Sequence, residues 1–353
     1  MHRYFFFFLF QLSLLSAFSK GKIIHHIITD RAEVNVYIPH GYDTTHTYQT
    51  IYFNDGETIF APGYGWELHN KLDKLIDGKI IEPVIVVAID SKGSRLSWYN
   101  PYSDDWIKQN WGSYIPQTNE YTLLISEIII PFIEKSYAVK KQASARAIVG
   151  YSLGGLHATW AGLTHASVFG FSAALSPSYW VADNAILDDI KTKQDESRFW
   201  FDLGTAEWQY YIPVYKKLQQ TGYKAGFDCF YYEVKDAEHI AADWIKRIDY
   251  PLIVFAGVNK DLTPEKMDVL FECIPSLSVA GKIYRRVNAV ITLKNGIKYS
   301  LSNTASYKLL KGDIKLREDG TIIAGSKTKA EIEVNYKEFK KRIYFTIDDC
   351  GKN

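Results

Sequence analysis

The chain has 353 residues, near-balanced charge (formal net +1) and ordinary apolar content, but it carries 25 Tyr and 9 Trp. That length exceeds one ordinary domain and predicts a large domain plus a small one. The charge balance gives no reason to expect nucleic acid or an anionic membrane as the main partner, and the aromatic load suits either a packed core or a flat ligand.

His2 and Arg3 open a basic start, Tyr4 to Leu15 is apolar except for Gln11 and Ser13, and Ala17-Phe18-Ser19 puts small residues where a signal peptidase reads. This pattern predicts a cleavable signal peptide over residues 1–19 and a secreted or periplasmic product. The apolar run is shorter than a spanning helix needs, about 20 residues. The three cysteines, Cys229, Cys273 and Cys350, match no metal or disulfide framework, and Cys229 reads as a core thiol. No metal and no cofactor is expected.

From about residue 30 to 255 strand-like and helix-like patterns alternate. Val34–Ile38, Thr50–Asn54, Pro83–Ile89, Ala145–Val149, Phe171–Leu175, Phe199–Leu203 and Phe227–Val234 read as strands. Tyr64–Leu75, Glu120–Ser136 and a small-residue stretch from Gly155 read as helices. Alternation of this kind predicts an α/β fold with a mostly parallel sheet covered on both faces, its reactive groups at the carboxyl ends of the strands. The expected division is an α/β domain over 20–260, a mixed connector over 261–274 and an all-β sandwich over 275–353. In the last part, Val287–Leu293, Ile297–Leu301, Ile314–Leu316, Thr321–Ala324, Ala330–Tyr336 and Arg342–Ile347 are short β runs. Asn295-Gly296 and Asp319-Gly320 there are hairpin-turn signals.

Gly150-Tyr151-Ser152-Leu153-Gly154 lies directly between the strand at 145–149 and the following helix. A serine on such a strand–turn–helix elbow stands exposed at the sheet top, and the flanking glycines relieve collisions with strand and helix. The context makes Ser152 a nucleophile candidate, with the Leu153 N–H aimed at a developing oxyanion. Its hydroxyl needs a base, and of nine histidines only His239 comes late, in a loop after a strand on the reactive edge. His157 follows the serine on the same helix, past the elbow. The orienting carboxylate should fall between serine and histidine; Glu207 in Gly204-Thr205-Ala206-Glu207 ranks first, Asp236 second, and Asp202 inside a strand is disfavoured. Asn54-Asp55-Gly56-Glu57, after an early strand, places the Glu57 N–H as the second oxyanion donor, with Gly56 allowing close approach to substrate.

These pieces together resemble the putative-esterase family of α/β-hydrolases, which includes feruloyl esterases, enterochelin esterases, esterase D and mycolyltransferases. The resemblance rests on Tyr52-Phe53-Asn54-Asp55-Gly56, the loop Arg95 to Tyr102, Ile130 to Tyr137, the elbow, Leu175-Ser176-Pro177-Ser178-Tyr179-Trp180 and the Gly204 to Glu207 loop. It implies a catalytic triad of Ser152, Glu207 and His239 and backbone oxyanion donors at Glu57 and Leu153, in agreement with the positional argument. Three residues depart from common family usage: Glu207 for aspartate, Glu57 for glutamine, and Trp98 where an acidic residue is frequent. The implied activity is that of a serine esterase, acting on a small-molecule or carbohydrate ester through an acyl-enzyme. Trp98, Tyr99 and Trp180 are candidate walls for an aryl or sugar ester, or core residues. The alternatives are acyl transfer to a sugar hydroxyl and a non-catalytic surface-binding protein on the same scaffold. Asp319 to Gly325 and the alternation Ala330 to Val334 resemble bacterial immunoglobulin-like domains, and the basic skew of the last 84 residues fits a solvated face or contact with a cell-wall polysaccharide.

Overall fold

The computed structural model describes residues 20–207, 211–275, 283–324 and 329–347. The expected signal peptide, Gly325 and Cys350 lie outside the described residues. Eight strands form the main sheet: β1 (Lys22–Ile27), β2 (Glu33–Ile38), β3 (Gln49–Phe53), β4 (Val84–Ile89), β5 (Arg146–Tyr151), β6 (Phe171–Leu175), β7 (Arg198–Gly204) and β8 (Cys229–Val234). Their order is β1-β2-β4-β3-β5-β6-β7-β8. The β1–β2 and β2–β4 pairings are antiparallel, and the pairings from β4 through β3 to β8 are parallel.

All six residues of β4 are buried, and β6 is buried throughout. Continuous Val/Ile/Ala runs suit strands covered on both faces, because neither face can carry polar groups without loss. The helix Leu153–Thr164, packed against β5 and β6, begins one residue after Ser152. Leu68–Asp77 realises the helix expected over 64–75, starting four residues later, past Gly65. The helix expected over 120–136 runs as Thr118–Leu124, a wide π turn Ile125–Ile129, and Ile130–Ser136. Pro131 has no N–H to donate and would collide with the carbonyl four residues back; widening one turn relieves both faults.

Beyond residue 260, β9 (Pro264–Pro275), β10 (Ile283–Leu293), β11 (Lys298–Ser300), β13 (Ile314–Leu316) and β14 (Thr321–Ala324) form a five-stranded antiparallel sheet, while β12 (Ser306–Lys311), β15 (Lys329–Tyr336) and β16 (Phe339–Thr346) form a three-stranded one. The stretch expected to be a connector is therefore mostly strand, with β9 paired to β10 along its whole length. Asn295-Gly296 and Asp319-Gly320 turn the β10–β11 and β13–β14 pairs, with Gly296 and Gly320 at positive φ. Phe271 of β9 stacks on Phe345 of β16 at 4.3 Å, so the two sheets share an apolar layer.

The β-rich part also covers the β8 edge of the main sheet. The Ser300 hydroxyl accepts from the Glu233 N–H at 3.0 Å, and buried Arg286 pairs with Glu233. Cys229 is a buried free thiol, and Cys273 is disulfide-bonded. Among the described residues no helix is long and apolar enough to cross a membrane.

Candidate active site

Ser152 stands on the turn between β5 and its helix with φ 53° and ψ −123°. A non-glycine residue in that region carries strain of about 1–3 kcal/mol, held only where the surroundings over-determine it. Here they do. A Cβ at Gly150 would sit 2.3 Å from the Gly154 carbonyl oxygen, so the elbow closes only without a side chain there. The Ser152 N–H donates to the Leu175 carbonyl at 3.0 Å, and the Ser152 carbonyl accepts from the Ser178 N–H. Leu153 is the first residue of its helix, where backbone N–H groups have no intrahelical partner and point out of the helix start.

Glu207 follows β7 in a short helical turn, its side chain fully buried. Its Oε2 accepts from His239 Nδ1 at 2.9 Å. Its Oε1 accepts from the Gly204 N–H at 2.6 Å, the Ser176 hydroxyl at 2.6 Å and Arg247 Nη2 at 3.1 Å. Burial alone would raise this carboxyl; the bond from His239 and the charge of Arg247 outweigh it and hold it below its ordinary range. Because a carboxylate only accepts, His239 donates to it through Nδ1, and in the neutral ring that tautomer leaves Nε2 as the nitrogen able to take a proton. The imidazole packs edge-on to Trp244 at 4.9 Å.

Ser152, Ser178, Glu207 and His239 line one open cleft of about 940 Å³. No direct hydrogen bond joins Ser152 to His239; the serine hydroxyl lies 3.4 Å from that of Ser178. Such contacts are commonly long in unliganded sites and tighten around substrate.

The rival carboxylates lie elsewhere. Asp202 is fully buried and pairs with Arg247 Nε at 2.7 Å and with the Trp200 ring N–H at 2.8 Å, so it faces the helix Ala241–Arg247. Asp236 has a largely exposed side chain, and its backbone N–H donates to the Thr205 hydroxyl. His157 is fully buried; Asn54 Nδ2 donates to its Nδ1 at 2.9 Å, and its Nε2 lies 3.0 Å from the Thr122 hydroxyl. Burial pushes its pKa down to about 3.

The loop carrying Glu57 is clamped from three sides. Asn54 donates to the Gly154 carbonyl at 2.8 Å, the Asp55 N–H donates to the Tyr99 hydroxyl at 2.8 Å, and the Asp55 carboxylate pairs with Arg95 at 2.6 Å. The Glu57 carboxylate accepts from the Ser91 N–H and hydroxyl, leaving its own N–H at the start of the short helix Gly56–Ile59. Gly56 is required for a reason other than approach to substrate: a Cβ there would lie 2.3 Å from the backbone of Ala88 in β4.

Of the expected pocket walls only Trp180 lines the cleft. Trp98 and Tyr99 are buried core; Trp98 stacks on Tyr121 at 4.6 Å, and the Tyr99 hydroxyl serves the Asp55 backbone. Sequence reasoning missed Trp106 and Trp111, which line the cleft beside Trp180, and Ser178 and Arg247. The pair Trp106/Trp111 has no motif around it. Ser178 sits within a segment already singled out, and its nearness to the elbow follows from β6 lying beside β5.

A β1-β2-β4-β3-β5-β6-β7-β8 sheet with a strained serine elbow at the end of β5 defines an α/β-hydrolase. The chain belongs to the Putative esterase family, whose match covers residues 26–249, and so to a class of carboxylic ester hydrolases. It is 26% identical over 190 residues to protein YbbA of Bacillus subtilis (strain 168), covering 53% of this chain and 73% of that protein. Among solved structures, a ferulic acid esterase superposes with TM-score 0.53 at 18% identity, covering 67% of this chain and 99% of the other. The enterobactin esterase FES from Shigella flexneri, solved in the presence of enterobactin, superposes with TM-score 0.52 at 20% identity, covering 66% and 57%. At these identities the two structures establish the fold.

Proposed function

We propose that the protein is an exported serine esterase in which Ser152, His239 and Glu207 form the catalytic triad within a domain spanning residues 20–260. The observation that carries this reading is the 2.9 Å bond from His239 Nδ1 to a buried Glu207 carboxylate, in the cleft that also holds the Ser152 elbow. His239 Nε2 takes the proton as Ser152 Oγ attacks the ester carbonyl, then returns it to the departing alcohol oxygen. Glu207 fixes the tautomer and steadies the imidazolium. The N–H groups of Leu153 and Glu57 stabilise the oxyanion, each such donor contributing roughly 3 kcal/mol in the transition state. Water, deprotonated by His239, then releases the acid from the acyl-enzyme.

Export rests on the basic, apolar and small-residue order of residues 2–19. Ester turnover by the mature protein tests the mechanism: Ser152→Ala should lower p-nitrophenyl acetate cleavage by several orders of magnitude, and turnover close to that of the unaltered protein would remove the serine from the mechanism. Secretion is tested by the N-terminus of the protein recovered outside the cytoplasm, which should begin at Lys20.

A further inference from the structure

We propose that Trp106, Trp111 and Trp180 form a stacking subsite for an uncharged ring of the ester, set in the same cleft as the serine; this rests on the esterase reading above. The three indoles meet pairwise edge to face, with centroids 5.6 Å (Trp106–Trp111), 5.6 Å (Trp106–Trp180) and 5.7 Å (Trp111–Trp180) apart. Although packed on one another, Trp106 is 53% and Trp111 47% exposed, and all three line the cleft. Large rings left half in water beside a reactive serine lose their unfavourable hydration when a second ring covers them.

The trio is built in advance. Asp104 Oδ1 caps the helix Asp105–Asn110 by accepting from the Ile107 N–H at 2.9 Å. Its Oδ2 accepts from the Ala182 N–H at 2.7 Å, tying the segment that carries Trp106 and Trp111 to the loop that carries Trp180. The Tyr114 hydroxyl accepts from the Asp104 N–H at 3.0 Å and donates to the Tyr102 carbonyl at 2.7 Å. Holding the rings before binding lowers the ordering cost a ligand would otherwise meet.

Charge sets the ligand class. Among the described residues the cleft is lined by Asp104, Asp105 and Asp183 and by no Lys or Arg; Glu207 at its base is buried and already paired with Arg247, and Lys108 stands just outside, 3.9 Å from Asp105. Indole faces are themselves the negative part of the ring quadrupole. An anionic ester, such as an iron-loaded catecholate, meets repulsion from both, whereas an aryl ring or the C–H face of a pyranose does not.

The test compares kcat/KM on four esters: ethyl acetate (no ring), methyl ferulate (aryl), a monoacetylated methyl xyloside (pyranose) and iron-loaded enterobactin (anionic). Trp106→Ala and Trp111→Ala should lower the ratio of ring ester to ethyl acetate by about tenfold, through KM, the size expected for losing one aromatic contact and its covered area. Trp106→Phe should restore part of that ratio, which separates stacking from misfolding. The ring ester that loses more, aryl or pyranose, identifies the natural occupant. An unchanged ratio in both alanine variants, or iron-loaded enterobactin turned over as well as the neutral ring esters, overturns the subsite. Turnover that survives Ser152→Ala overturns the esterase reading instead, so the two failures are distinguishable.

Discussion

Arg247 and Glu207, 40 positions apart, form a 3.1 Å ion pair in which the side chains are 2% and 0% exposed. The same guanidinium holds Asp202 at 2.7 Å, so one cation sits between two buried carboxylates. Without it the carboxylates would face each other uncompensated, and one would take a proton. Arg247→Met is expected to destabilise the fold by about 3–5 kcal/mol, as for a broken buried pair. It should also move the acidic limb of the kcat profile to higher pH, because Glu207 ionises less readily. Arg247→Lys should recover more stability than activity, since a single ammonium cannot reproduce the fork. Urea unfolding together with a pH–rate profile checks both effects.

Glu207 accepts four hydrogen bonds, and only the one from His239 belongs to the proposed relay. Glu207→Gln keeps the shape but can present an amide N–H to His239 Nδ1, favouring the wrong tautomer. A fall in kcat of about 10³–10⁴-fold with little change in KM is expected. Steady-state kinetics on p-nitrophenyl acetate measures it.

His157 ties stability to pH. Its folded pKa lies near 3, below the unfolded value of 6.5, so the native protein stays neutral where the unfolded chain gains a proton. That stability is complete above pH 6.5 and is lost as pH falls toward 3, amounting to about 2 kcal/mol at pH 5. His157→Gln should flatten the pH dependence of the urea midpoint between pH 7 and 5; an equally steep dependence would assign it to other groups.

The contact between the β-rich part and β8 turns on Arg286 and Glu233, both fully buried. Burial and the neighbouring Glu233 push the Glu272 carboxyl beside them up from its ordinary range, which disfavours a second negative charge there. Arg286→Met alone should cost about 3–5 kcal/mol, whereas Arg286→Met with Glu233→Leu should cost less, because no unpaired charge is left behind. Denaturant midpoints of the single and double variants decide this.

The parallel strands were legible because buried Val/Ile/Ala runs have few alternatives, and Phe171–Leu175 matches its strand residue for residue. β1 was missed: its sequence, KIIHHI, mostly faces solvent at a sheet edge, where no hydrophobic pattern is imposed. β9 was read as connector because Glu265, Lys266, Asp268 and Glu272 interrupt its apolar pattern, and only pairing with β10 makes it a strand. The elbow could be read because its glycines are a local steric need. The roles of Trp98 and Tyr99 could not, since which face of the short helix Arg95–Tyr99 meets the core depends on Tyr121 and His157, contributed by distant elements.

The most direct measurement of the central claim is intact-mass and peptide mass spectrometry after reaction with a p-nitrophenyl alkylphosphonate, which mimics the tetrahedral intermediate. One covalent adduct is expected, on Ser152, absent from Ser152→Ala and formed much more slowly in His239→Ala. An adduct on another residue, or equally fast labelling without His239, would contradict the account.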